Sequence, residues 1–419
     1  MNMQSYREEP LDLSGLTRIN YSRYFLKANP FPAMGIPEEI PLTTADRKEV
    51  IDRFREDLRR TIFEGKSSVI VITGDYGAGK SHLLKYFKYR VNTQLLTSTN
   101  KSIAVYIKSA GRNFKDLYLY FIDDIGRDFL TNYAVGIIRL YVEKHEKETR
   151  KHLYTKALQS ETRLVSVDID KLLQSIRFFD FIRDLTKTYQ GPRNFMMNAL
   201  LCLAHPDYSS LAWRWFVGEK LSDSERKMIR VDDDIDDARD AQAAFRAMIR
   251  LFKQFGLISI ILLMDEFEKF TLIPKNRRHE YMDEIRHFLD ENPSGICFVI
   301  GVTPTAYKTL TEVPSALTRR LSGTEFELRF FKFQDVEELV SRYIQIGRMA
   351  NADLAPLIRK HPNTTPLVYP FTDEALRRID HRSKGLVSSI INLCRESIEI
   401  GIQSNSEVID RRIVDLVNL

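Results

Sequence analysis

The residues best equipped for chemistry lie in two short runs. Gly74-Asp75-Tyr76-Gly77-Ala78-Gly79-Lys80-Ser81, followed by His82, fits the pattern G-x-x-x-x-G-K-[ST]. Glycines at this spacing let successive backbone N–H groups turn toward one point, where they would wrap phosphate oxygens. A helix starting near Lys80 would add the partial positive charge of its N-terminus. The Lys80 ammonium would neutralise the β- and γ-phosphates of ATP, and the Ser81 hydroxyl would ligate Mg²⁺. Gly74 through His82 is therefore the expected cradle. The second run, Met264-Asp265-Glu266-Phe267-Glu268, sets an acidic pair directly after an apolar segment. Asp265 is suited to holding the Mg²⁺ shell, and Glu266 to orienting and deprotonating an attacking water. A second acid beside the metal ligand favours water as acceptor and speaks against a small-molecule kinase.

Two further positions carry chemistry with an open alternative. Thr303-Pro304 ends a later apolar run, where the Thr303 hydroxyl either lies near the γ-phosphate or water, or caps the next turn. Arg319 and Arg320 precede the last such run. Their guanidinium groups suit developing phosphoryl charge in a neighbouring subunit's site, and a solvated helix end is the other reading.

The elements that must position these groups are legible as five β-branched, nearly continuous apolar runs: Ser68–Thr73, Ile103–Ile107, Ile258–Met264, Ile296–Val302 and Phe326–Phe330. Such runs read as strands of a parallel sheet covered on both faces, and the helical patterns between them make an open α/β architecture. The loop joins the first strand to a helix carrying Leu83, Leu84, Phe87, Val91 and Leu95, and the acids fall at the carboxyl end of the third. Residues 1–45 are punctuated by Pro10, Pro30, Pro32, Pro37 and Pro41 and read as an extended arm. Residues 46–330 form the α/β domain, with a helical insertion at about 127–240, and 331–419 a small all-helical domain. Thr372 and Asp410 read as N-caps of two of its helices.

Composition bounds the rest. The chain has 419 residues, 43% hydrophobic and 28% charged, which excludes a mainly disordered protein. Lys plus Arg number 62 against 57 for Asp plus Glu, a formal charge of +5, so any nucleic-acid footprint must be a local patch. Cys202, Cys297 and Cys394 are widely separated, which excludes a zinc knuckle or disulfide framework and points to a reducing compartment. The opening residues lack an apolar signal core, and the longest clear apolar run, Leu257–Met264, is too short to span a bilayer. A soluble, cytoplasmic protein without membrane partners is expected.

Taken in order, the cradle, the acidic pair, the polar end of the fourth strand, the arginines before the fifth and the helical C-terminal part resemble an AAA+ ATPase, a P-loop NTPase. That resemblance implies a sheet order of 5-1-4-3-2, nucleotide held between the α/β domain and a helical lid, and homo-oligomers in which Arg320 reaches the next subunit's site. Phe371-Thr372-Asp373-Glu374-Ala375-Leu376 and Lys384-Gly385-Leu386-Val387 are similar to the lid of origin-recognition-type initiators and transposition-regulator ATPases. Asn29-Pro30-Phe31 and Asp46-Arg47-Lys48-Glu49 are similar to the segment those proteins lay against adenine. More narrowly, Ala212-Trp213-Arg214-Trp215-Phe216-Val217-Gly218-Glu219 and Phe298-Val299-Ile300-Gly301-Val302-Thr303-Pro304 resemble ATP-binding proteins of BREX-type phage-defence operons. Two departures, Ser388 at the lid position where initiators carry an arginine and Thr303-Pro304 where an Asn is usual, imply slow hydrolysis.

The partner implied is DNA or a DNA-processing protein. Among the basic clusters, Lys275, Arg277 and Arg278 read as a loop leaving the acidic strand, placed for sequence-tolerant, salt-sensitive phosphate contacts. The alternative is an ATP-gated protein-interaction module without DNA, in which the insertion recognises a partner through aromatics such as Phe178-Phe179 and the Trp213/Trp215 pair. The acidic run Val231–Asp237 lacks the glycine and terminal glutamate of a calcium loop and reads as a lead-in to the next helix.

Overall fold

The computed structural model describes residues 19–33, 44–45, 47–145, 147, 149, 172–174, 177–188, 194–312 and 325–418. Arg319, Arg320 and Asp46 lie outside the described residues. The chain divides into two compact units, one between Arg47 and Arg329, the other combining the N-terminal residues with Phe330 onward.

In the first unit, β1 (Ser68–Thr73), β2 (Ser102–Ile107), β3 (Ser259–Met264), β4 (Ile296–Val302) and β5 (Glu325–Glu327) form one parallel sheet in the order β2-β3-β4-β1-β5. This is the order the resemblance implies. β5 is shorter than the apolar run Phe326–Phe330 predicts. Among the described residues it pairs only with β1, whose last residue, Thr73, takes the Leu328 N–H at 2.7 Å.

Alternation along the strands sends side chains to opposite faces. Ile70, Ile72, Ala104, Ile261, Leu263, Cys297 and Val299 face α1 (Lys48–Phe63) and α2 (Lys80–Gln94), burying Phe54, Leu83, Leu84 and Phe87. Phe54 stacks on Phe87 with ring centroids 3.9 Å apart. Val105, Ile260, Leu262, Phe298 and Ile300 join the larger core on the other face, with α3 (Phe114–Ile125) and the helices Ala238–Gln254 and Lys275–Glu291. The inserted helices pack into that same core. In α4 (Arg127–Lys144), Tyr133 meets Phe252 edge to face, and its hydroxyl donates to the Phe252 carbonyl at 2.9 Å.

Phe178 and Trp215 are 2% and 1% exposed, so they are core and not a docking surface. Phe179 and Trp213 are half-buried against the same core. The Trp215 indole N–H donates to the Asp233 carbonyl. The acidic run before Ala238 serves as expected: Asp237 caps that helix, and Asp234 pairs with Arg226.

The second unit holds the helices Phe333–Gly347, Ala355–Lys360, Asp373–Ser383, Val387–Gln403 and Arg411–Leu416. Thr372 accepts from the Ala375 N–H, and Asp410 from those of Arg412 and Ile413, so both act as the N-caps their sequence predicts. At Gly385 a side chain would meet the Phe331 carbonyl oxygen at 2.4 Å, which excludes any larger residue. Residues 19–33 are woven into this unit. Tyr24, Leu26 and Phe31 are core residues, with the Phe31 ring 5.2 Å from Tyr343. Asn29 donates to the Arg395 carbonyl and to Glu399.

Among the described residues no helix is long and apolar enough to cross a membrane. The three cysteines are buried free thiols; burial pushes Cys202 and Cys297 up to about 12, far from reactive.

Candidate functional site

β1 ends at Thr73 between β4 and β5, and the chain turns through Gly74–Gly79 into α2. Gly77 and Gly79 take positive φ of 80° and 95°, conformations only glycine adopts without strain. Gly74 lies against Leu328, whose Cβ would stand 3.1 Å from an added side chain. Gly79 is the N-cap of α2, so the first N–H groups of that helix, which have no intrahelical acceptors, open into the turn. The Ala78 carbonyl accepts from Arg47, just ahead of α1, at 3.0 Å.

Lys80 is 7% exposed, and its ammonium donates to the carbonyls of Gly74 (2.7 Å) and Asp75 (3.1 Å). Burial lowers its pKa, against the pull of Glu268 and Asp265. Tyr76 is 76% exposed on the outer wall, with the Lys80 ammonium 5.7 Å from its ring centre.

Asp265 follows β3 and is 3% exposed. One carboxylate oxygen accepts the Glu266 N–H at 2.9 Å, the other the Tyr106 hydroxyl at 2.5 Å. Gly301 of β4 leaves room for it: an added side chain there would sit 3.4 Å from Asp265 Oδ1. Glu266 is in the left-handed region, φ 45°, and its carboxylate pairs with Lys269 within the 3₁₀ turn Phe267–Leu272.

Two residues here escaped the sequence reading as site groups. Tyr106 reaches the site from a distant segment. Glu268 stands in the second run without an assigned role, and its spacing two residues beyond Glu266 was the available signal. Its carboxyl is raised by burial, one of its oxygens is sealed from water without a partner among the described residues, and its charge attracts Lys80.

Thr303 directly follows β4 and is 8% exposed, beside the Thr73–Val302 pair that leads into the loop. Its carbonyl accepts the Tyr307 N–H at the start of the helix Pro304–Glu312. Ser388 lies half-buried in the first turn of its helix.

Lys275, Arg277 and Arg278 are not in a loop. Pro274 caps the helix Lys275–Glu291, and they occupy its first turn. Lys275 and Arg277 are exposed, whereas Arg278 turns back onto the carbonyls of Thr271 and Ile273. Among the segments expected against adenine, Asn29-Pro30-Phe31 is built into the helical unit, while Arg47 contacts the loop.

The group set suits a magnesium nucleotide: a buried ammonium and a helix N-terminus for phosphate, and one hydroxyl and one carboxylate as hard oxygen ligands for the metal. Among the described residues no group of three or more His, Cys, Asp or Glu side chains could hold a metal. The remaining ligands would come from phosphate and water, as Mg²⁺ sites commonly arrange.

Comparison with solved structures places the fold. The ORC2 protein of Aeropyrum pernix, solved as ADPNP–ADP complexes, superposes with a TM-score of 0.51 at 12% identity, covering 93% of this chain and 70% of that one. Its ADP form gives 0.50 at 13%, covering 93% and 72%. At such identity the likeness speaks for a shared AAA+ fold alone. No curated protein matches the sequence. A family model described as "BREX system ATP-binding protein BrxC/D" matches residues 35–381, which takes in β1 to β5, the loop and both acids. The chain belongs to the BREX system ATP-binding protein BrxC/D family.

Proposed function

We propose that this protein binds ATP with Mg²⁺ at the loop Gly74–His82, hydrolyses it slowly, and uses the nucleotide to control assembly with copies of itself and engagement of DNA or a DNA-processing defence partner. The observation that carries the reading is the convergence of Lys80, Ser81 and Asp265 at the carboxyl edge of the sheet, beside a helix start. In this reading Lys80 leaves the loop carbonyls for phosphate, Ser81 and Asp265 hold the metal, and Glu266, once released from Lys269, orients water. Thr303 lines the far side next to the end of β1. Arg319 and Arg320 serve a neighbouring copy's site.

For DNA, Lys275 and Arg277 are the available cations, since Arg278 is committed to backbone carbonyls. The protein-only alternative keeps Phe179 and Trp213, which are half-buried, but not Phe178 and Trp215, which are interior.

The primary test is titration of labelled ATP with Mg²⁺. Uptake by the wild type and its loss in Lys80→Ala is the expected result; uptake untouched by that substitution overturns the reading. Arg320→Ala should keep binding and lose hydrolysis, and sedimentation with ATP should show assembly. Mobility shift at low salt should show ATP-dependent DNA binding that Lys275→Ala/Arg277→Ala weakens. No shift with single- or double-stranded DNA removes the DNA clause.

A further inference from the structure

The site contains a phenol that the ATP-binding reading does not require. Tyr106 lies on β2, opposite Leu263 of β3, one position before the end of the strand. Its hydroxyl donates to Asp265 Oδ2 at 2.5 Å. The ring is held from several sides. The Lys85 ammonium, one helical turn after Ser81, sits 5.7 Å from its centre. The Tyr106 N–H donates to Asp124 at 2.8 Å, and Asp124 is itself paired with Lys88 of α2 at 2.6 Å. β2 is an edge strand, so without those bonds its outer backbone would be unpaired.

We infer that Tyr106 is a positioning residue for the metal, its hydroxyl holding one oxygen of the Asp265 carboxylate in place while leaving that carboxylate lone pairs free to face a cation. The inference rests on the proposed ATP-binding role of the site.

The inventory of donors and acceptors supports this. A phenol carries one proton, and Tyr106 gives it to Asp265. Each hydroxyl or carboxylate oxygen retains a lone pair after that bond. Asp265 is thereby fixed at both oxygens, by Tyr106 and by the Glu266 N–H, which pins its rotation. Partners that hold a ligand in place in this way typically contribute about 10- to 100-fold to metal affinity. A phenylalanine at 106 would fill the same space and lose only the link.

The test uses Mn²⁺ as a paramagnetic probe with a non-hydrolysable ATP analogue on the full chain, bound metal being read from the loss of the free-Mn²⁺ resonance. Tyr106→Phe is expected to weaken Mn²⁺ binding about 10- to 100-fold. Labelled ATP uptake in EDTA and the ligand-free melting temperature should stay at wild-type values. Unchanged Mn²⁺ affinity in Tyr106→Phe overturns the inference. So does a parallel fall in metal-free uptake and melting temperature, which marks a packing role instead. A wild type that takes up no nucleotide at all overturns the ATP-binding reading and this inference together.

Discussion

Arg47 donates from its guanidinium to the Ala78 carbonyl at 3.0 Å, bracing the loop between β1 and α2 from a position more than thirty residues upstream. The arginine is 8% exposed, so the bond forms largely out of water. A hydrogen bond from a charged group contributes about 1.5–3 kcal/mol. Arg47→Ala is expected to loosen the loop and weaken ATP binding by about tenfold, a change of about 1.4 kcal/mol. Titration of labelled ATP measures this, and unchanged affinity would show that the loop holds its shape alone.

Lys80 gives the ligand-free protein a definite pH dependence. Burial lowers its pKa below the ordinary 10.5, so between the lowered value and 10.5 the unfolded chain binds more protons than the folded one. Stability should therefore rise with pH through that window. Lys80→Met should flatten this part of the curve, raise the ligand-free melting temperature at neutral pH and abolish ATP uptake. Urea unfolding across a pH series reads the slope.

Glu266 and Lys269 form an exposed ion pair, each side chain about half accessible. Glu266→Gln should lower hydrolysis by about 10²- to 10⁴-fold with ATP binding kept, the range for loss of a general base. Exposed pairs contribute about 1 kcal/mol at most, so Lys269→Ala should speed hydrolysis by no more than about fivefold. Phosphate release assays separate the two variants. A Glu266→Gln enzyme with wild-type turnover would remove Glu266 from the mechanism.

Glu268 carries a carboxyl raised by burial. Above the ordinary value of 4.5 its folded form holds a proton that the unfolded chain has released, so stability falls as pH rises through that window. Glu268→Gln should erase this fall and raise the ligand-free melting temperature at neutral pH, as calorimetry would show. A lower melting temperature would mean that the carboxylate is satisfied in a way its neutral analogue cannot reproduce.

The sheet and the loop were legible because they depend on local pattern: β-branched runs bounded by breakers, then glycines at fixed spacing before a helix; the order of the strands came from the resemblance alone. Thr372 and Asp410 were legible as caps for the same reason. Tyr106 was hidden inside a strand whose apolar character fits equally well without a hydroxyl, and only the pairing of β2 with β3 brings it beside Asp265. Arg47 stood out only through the resemblance of its segment, and the fold is what brings it onto the Ala78 carbonyl. Lys275–Arg278 read as a loop because basic residues follow Pro274. Yet Tyr281, Met282, Ile285, Phe288 and Leu289 carry a helical spacing that reaches back to that proline. Phe178 and Trp215 invited an interface because adjacent aromatics look surplus in one dimension, whereas three dimensions give them neighbours.

The inserted helices are continuous with the layer that covers the sheet, through contacts such as Tyr133 on Phe252. Excising them would not liberate a minimal nucleotide engine; it would bare greasy flanks on α3 and on Ala238–Gln254 and invite precipitation. Testing the proposed nucleotide and partner roles separately therefore calls for solvent-side point changes, because the insertion shares one core with the strand that leads into Asp265.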